Sequence, residues 1–155
     1  MKTQKDEILI KLQRYCAYQE RCHSEVRKKL LSLQIYGDLL EEIISELVKD
    51  DFLNELRFAQ TFAGGKFRIK KWGKQKIKMH LKAKKVSDYC IKKALVEIDD
   101  EDYEKTLKSL IKKYKAERKN LKLNKLQLHK NCMQYCINKG YEYALVNKFL
   151  NANSN

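Results

Sequence analysis

The chain has 155 residues, with 34 Lys or Arg against 20 Asp or Glu, so it is sized for one domain and carries a formal net charge of +14. Its apolar content of 43% is spread along the whole length, which argues against disorder. No stretch approaches the ~18–20 consecutive apolar residues of a membrane span, and the absence of Pro with only five Gly disfavours an all-β fold.

In chain order, the charged opening Met1 to Glu7 has no apolar core behind it, so no signal peptide and a cytoplasmic location are expected. Ile8, Leu12 and Cys16 then line one face of a first helix, Val26, Leu30 and Leu33 a second. Leu39, Leu40, Ile43, Ile44 and Leu47 line a third, with Gly37 as the break, Asp38 as N-cap and Glu41 completing a capping box. Phe52, Leu56, Ala59 and Ala63 begin a new stripe after Asn54, a candidate cap, and Gly64-Gly65 and Gly73 are expected to loosen the end of that helix. A short helix carries Ile77, Leu81 and Ala83. Ser87 caps the next, with Ile91, Ala94, Leu95 and Ile98. After Asp99-Asp100 come Tyr103, Leu107, Leu110, Ile111 and Tyr114, then Leu126, Cys132, Met133 and Cys136 up to Gly140, then Leu145, Val146, Phe149 and Leu150. Residues 151–155 should fray.

The pattern repeats. A shift of 51 residues carries Val26 to Ile77, Leu30 to Leu81, Ile35 to Val86, Leu40 to Ile91 and Ala59 to Leu110. A further shift of 55 carries Ile77 to Cys132, Leu81 to Cys136 and Val86 to Tyr141. The fold predicted is all-α: one domain over 1–155, built as three tandem three-helix repeats (about 5–50, 51–99 and 100–152) in an elongated, curved array.

The charge is uneven. Lys66 to Lys85 holds ten basic residues and no acid, with Phe67, Trp72 and His80 interleaved, and Lys105 to Lys130 holds ten more with one acid, Glu117. Asp38 to Glu55 carries seven acids and one base. Such basic runs attract polyanions, and the preference for Lys over Arg suits phosphate attraction more than base readout. Trp72 and Phe67 are candidates for stacking on unpaired bases.

Chemistry is thinly supported. His129, Cys132 and Cys136 share a helical face, but a fourth zinc ligand and a Cys-x-x-Cys knuckle are missing, so core packing is the better account. The five Cys read as free thiols. Asp50-Asp51 suits a nuclease metal site less well than the capping of the following helix, a role shared by Glu101-Asp102. No cofactor and no catalytic residue are expected.

Asp51-Phe52-Leu53-Asn54-Glu55-Leu56-Arg57-Phe58-Ala59-Gln60-Thr61-Phe62, followed by Lys66, Gly73, Lys76-Ile77, Leu81, Lys84 and Val86, resembles the signature of the RecX family of recombinase regulators. Upstream, Arg21 to Leu30 is similar to the family's Arg–Ser–Glu opening of its second helix. The likeness covers roughly residues 15 to 98. Asn54 stands where an Asp is usual, and Lys85 where the family commonly has Gly, a substitution that makes positive φ more costly. The resemblance implies a three-repeat helical fold and a non-enzymatic protein that binds RecA and RecA filaments on single-stranded DNA, and a lone helical array of this kind is expected to be a monomer. It also implies restraint of filament extension, strand exchange and RecA ATPase, while the basic runs add an expected contact to DNA phosphates and the lack of a long apolar stretch leaves no expected contact to membranes. Arg57, Lys66, Arg68, Lys70, Lys71, Trp72, Lys74 and Lys76 are the contact candidates, Arg57 having a salt bridge to Glu55, Asp51 or an acid of the preceding helix as its alternative role. The competing reading is a standalone basic helical nucleic-acid-binding module.

Overall fold

The computed structural model describes residues 1–152. Within them lie nine α-helices and no strand: α1 Gln4–Tyr18, α2 His23–Ser32, α3 Gly37–Lys49, α4 Glu55–Lys70, α5 Lys74–Ala83, α6 Asp88–Val96, α7 Asp100–Glu117, α8 Lys125–Lys139 and α9 Tyr143–Ala152. The all-α fold of three successive three-helix sets is as expected from the periodicity.

The chain forms two compact units. The first comprises Met1–Phe62 and Leu81–Ala94, the second Ala63–His80 and the chain from Leu95 onward. In the first, α3 packs on α1 and α2 over Leu12, Val26, Leu30, Ile43 and Leu47, all essentially without exposure. In the second, α7, α8 and α9 pack on one another over Leu107, Ile111, Cys132, Cys136, Val146 and Leu150, none of them exposed. Each such aliphatic side chain contributes about 1.5–3 kcal/mol relative to exposure. All five cysteines are free and buried.

The repeat shows most clearly where each set's second helix ends. Gln34, Lys85 and Gly140 take positive φ (62°, 64° and 106°). After each, an N–H donates back to the last turn: Ile35 to the Leu30 carbonyl (3.0 Å), Val86 to Leu81 (3.1 Å) and Tyr141 to Cys136 (3.1 Å). This is the left-handed C-terminal closure in which glycine is usual.

Several local expectations are corrected. Asp38 does not cap α3: Tyr36 occupies the cap without a side-chain bond, and Glu41 instead accepts from Arg27 at 2.6 Å. Asn54 does cap α4, accepting from the Arg57 N–H at 2.9 Å, whereas Asp50 closes α3 and Asp51 pairs with Arg57, so neither acid caps α4. Ser87 caps α6 as read, accepting from the Cys90 N–H (3.3 Å), whereas α7 is capped by Asp99, which accepts from the Asp102 N–H (2.9 Å), and Glu101 and Asp102 lie inside its first turn. Helix α4 runs through Gly64 and Gly65 to Lys70, because wholly buried Ala63 and nearly buried Phe67 hold it on both sides. Ala83 and Leu126 lie on exposed faces at helix ends. Asn151 and Ala152 are helical rather than frayed, and 153–155 lie outside the described residues.

Candidate nucleic-acid interface

The basic run starts in the last turn of α4, where Arg68 and Lys70 complement the helix's negative end. Lys71 then adopts φ 60° and closes the helix. Its N–H donates to the Phe67 carbonyl (3.0 Å), and the Trp72 N–H donates to the Lys66 carbonyl (3.2 Å). The Lys71 ammonium turns back onto the Arg68 carbonyl (2.8 Å), and Lys139 of α8 donates to the Lys70 carbonyl (3.0 Å). Two ammonium groups, those of Lys71 and Lys139, therefore satisfy carbonyls at the C-terminus of α4. Beyond it, the Trp72 indole lies 5.0 Å from the Lys66 ammonium, 4.6 Å from that of Lys76 and 4.5 Å from the His80 ring.

The segment carrying these groups is clamped by backbone. Gly73 N–H donates to the Lys139 carbonyl (2.8 Å) and Gln75 N–H to the Gly140 carbonyl (2.9 Å). A Cβ on Gly73 would collide with the Gly140 carbonyl and the Tyr141 nitrogen, so only glycine permits this approach. Tyr141 Oη donates to the Lys71 carbonyl (2.9 Å). Tyr103 Oη accepts from the Lys74 N–H (2.9 Å) and donates to Glu142 (2.6 Å). Burial, then the Glu142 hydrogen bond, pushes the Tyr103 phenol well up, so it stays a donor at neutral pH. The Lys74 ammonium sits 4.9 Å from the Tyr103 ring and 3.7 Å from Asp100.

Seven of the eight candidates, Lys66, Arg68, Lys70, Lys71, Trp72, Lys74 and Lys76, thus fall on one clamped segment of the second unit. Arg57 belongs to the first unit. Its Nε donates to Glu20 at 2.6 Å, its Nη1 to Asp51 at 2.9 Å and its Nη2 to the Asp51 carbonyl at 2.9 Å. The Asn54 amide, then Arg57, holds the Asp51 carboxyl below its ordinary range. Phe67 is not a stacking platform. It is 8% exposed and packs 5.8 Å from the Tyr103 ring. Lys139, Tyr103, Glu142 and Tyr141 were invisible as site residues in the sequence, because they reach the segment from 29 to 70 residues away. Among the described residues no three His, Cys, Asp or Glu gather as metal ligands, and Cys132 and Cys136 are wholly buried in the core.

Comparison with known proteins bears on this geometry. The family model described as RecX, second three-helix domain, matches residues 54–95, which are α4 to α6 with the cap Asn54. The regulatory protein RecX of Streptococcus uberis is 31% identical over 140 residues, covering 90% of this chain and 52% of that protein. Residues 54–95 thus match a RecX domain, and the chain is similar to RecX regulatory proteins along most of its length. The regulatory protein RecX of Lactococcus lactis subsp. lactis is 32% identical over 137 residues, covering 84% of this chain and 49% of that protein. The chain therefore spans about half the length of these RecX relatives. The crystal structure of RecX from Lactobacillus salivarius superposes with a TM-score of 0.85 at 23% identity, covering 96% of this chain and 95% of that one, which establishes the shared fold.

Proposed function

We propose that the chain is a non-enzymatic regulator that binds RecA and RecA–DNA filaments and inhibits filament extension, strand exchange and RecA ATPase. The observation that carries the reading is the match of α4 to α6 to the second RecX domain, at the segment where the basic run leaves α4. Lys66, Arg68, Lys70, Lys71, Trp72, Lys74 and Lys76 form the proposed contact surface. Its ammonium and guanidinium groups attract phosphates or acidic protein surface. The clamp on Gly73 fixes their spacing, so little ordering entropy is lost on binding. Arg57, engaged by two carboxylates, holds the 51–54 turn and has a positioning role.

The test is a RecA ATPase assay on single-stranded DNA with substoichiometric amounts of this protein. Inhibition that grows as filament length grows is expected, and unchanged ATP hydrolysis rejects the proposal. The abundance of lysine favours a second reading, a standalone nucleic-acid-binding module. Equal affinity for naked and RecA-coated DNA across a salt titration would select it.

A further inference from the structure

Lys108, Lys112 and Lys115 stand at i, i+4 and i+7 on α7, so one helix face carries all three. With Lys148 of α9 they line an open groove of about 740 Å³ that also includes Phe149 and Ala152. The ammonium groups of Lys108 and Lys148 lie 4.7 and 5.7 Å from the Phe149 ring centroid. Among the described residues, none of the four lysines has a carboxylate oxygen within 4.0 Å. Four like charges in one concavity repel one another, and the low-dielectric walls focus their field outward. We propose that this groove binds a single nucleic-acid strand through its phosphates, as a second contact beside the 66–76 segment.

The lining argues for phosphate rather than base. Phe149 is 6% exposed and already covered by two cations, so it offers no face on which a base could stack. Among the described residues the groove supplies four point charges and no forked guanidinium. A repeating charge is the ligand such a lining matches. The inference extends the polyanion half of the proposed function and does not depend on the recombinase half.

The test is fluorescence anisotropy of short labelled oligo-dT and oligo-dA with the full chain, titrated with salt. Replacing Lys108, Lys112 and Lys148 by Gln should reduce the slope of log K against log salt by about 2, at ~0.7 per lost phosphate contact, equally for both oligomers. The single variants Lys112→Gln and Lys148→Gln should each remove about 0.7, and they carry the test if the triple variant loses helicity by circular dichroism. The Lys→Arg triple variant should keep the full slope. A wild-type slope in the Gln variants overturns the proposal. So does a loss confined to one base type, or a loss of polyglutamate binding with oligonucleotide binding intact. No RecA enters the measurement, so its failure leaves filament inhibition standing, and failed inhibition leaves this result standing.

Discussion

Gly140 shows how one residue can be irreplaceable for two reasons. Its φ of 106° disfavours any L side chain, and a Cβ there would meet Lys76 and the Gly73 carbonyl. Lys85, at the equivalent helix end, holds φ 64° with a side chain attached. Gly140→Ala should therefore destabilise the protein by at least ~2 kcal/mol, while Lys85→Gly should stabilise it by ~0.5 kcal/mol after the greater freedom of unfolded glycine is subtracted. Urea titrations with unchanged m-values would check both, and a destabilising Lys85→Gly would contradict the strain argument. The Lys85 departure was legible because the family pattern marks that position as glycine. The partner surface of Gly140 was not, since Gly73 and Lys76 approach it from more than sixty residues away. Arg57 was half legible: Asp51 is a near neighbour in sequence, but Glu20 reaches it only through the packing of the first unit.

At the scale of helices, the 51-residue offset held at second and third helices and slipped at first ones. Ala59 is wholly buried, yet its counterpart Leu110 is only half buried and Ile111 takes the core position. A helix turns its stripe toward its own neighbours, so a constant offset survives only where the neighbours are alike. Leu126 at 63% exposure makes the related point that periodicity cannot see where a helix outruns its packing partners. The glycine pair of α4 misled for a different reason. Glycine inside a helix costs about 1 kcal/mol, which local sequence reads as a break, but burial of Ala63 and Phe67 outweighs it. Gly65 faces open space: a Cβ there meets nothing within 4 Å. Gly65→Ala should accordingly raise stability by ~0.5–1 kcal/mol, which for a chain of this size is about 1–4 °C in Tm. A fall in Tm on calorimetry would mean that the helix needs its weakness there.

For the molecule as a whole, charge is divided by sequence position: residues 1–62 carry ten basic and eleven acidic side chains, residues 63–155 carry 24 and nine. Two explanations of polyanion affinity then compete. Net charge would steer any anion toward the protein regardless of where each lysine stands, whereas a defined surface would need particular lysines. Lys70→Glu with Lys71→Glu separates them, because both side chains are exposed and Lys74 keeps its bonds to Asp100 and Tyr103. This pair should raise the concentration for half-inhibition of RecA ATPase by roughly 10-fold at low salt, with the gap closing as the Debye length falls toward 8 Å at 0.15 M ionic strength. Adding Asp38→Lys to that variant returns two of the four lost charge units in the acidic segment, where Asp38 is exposed. On the surface account the added lysine restores nothing. Recovery of half the lost inhibition would show that bulk charge, and not the clamped 66–76 segment, governs the encounter.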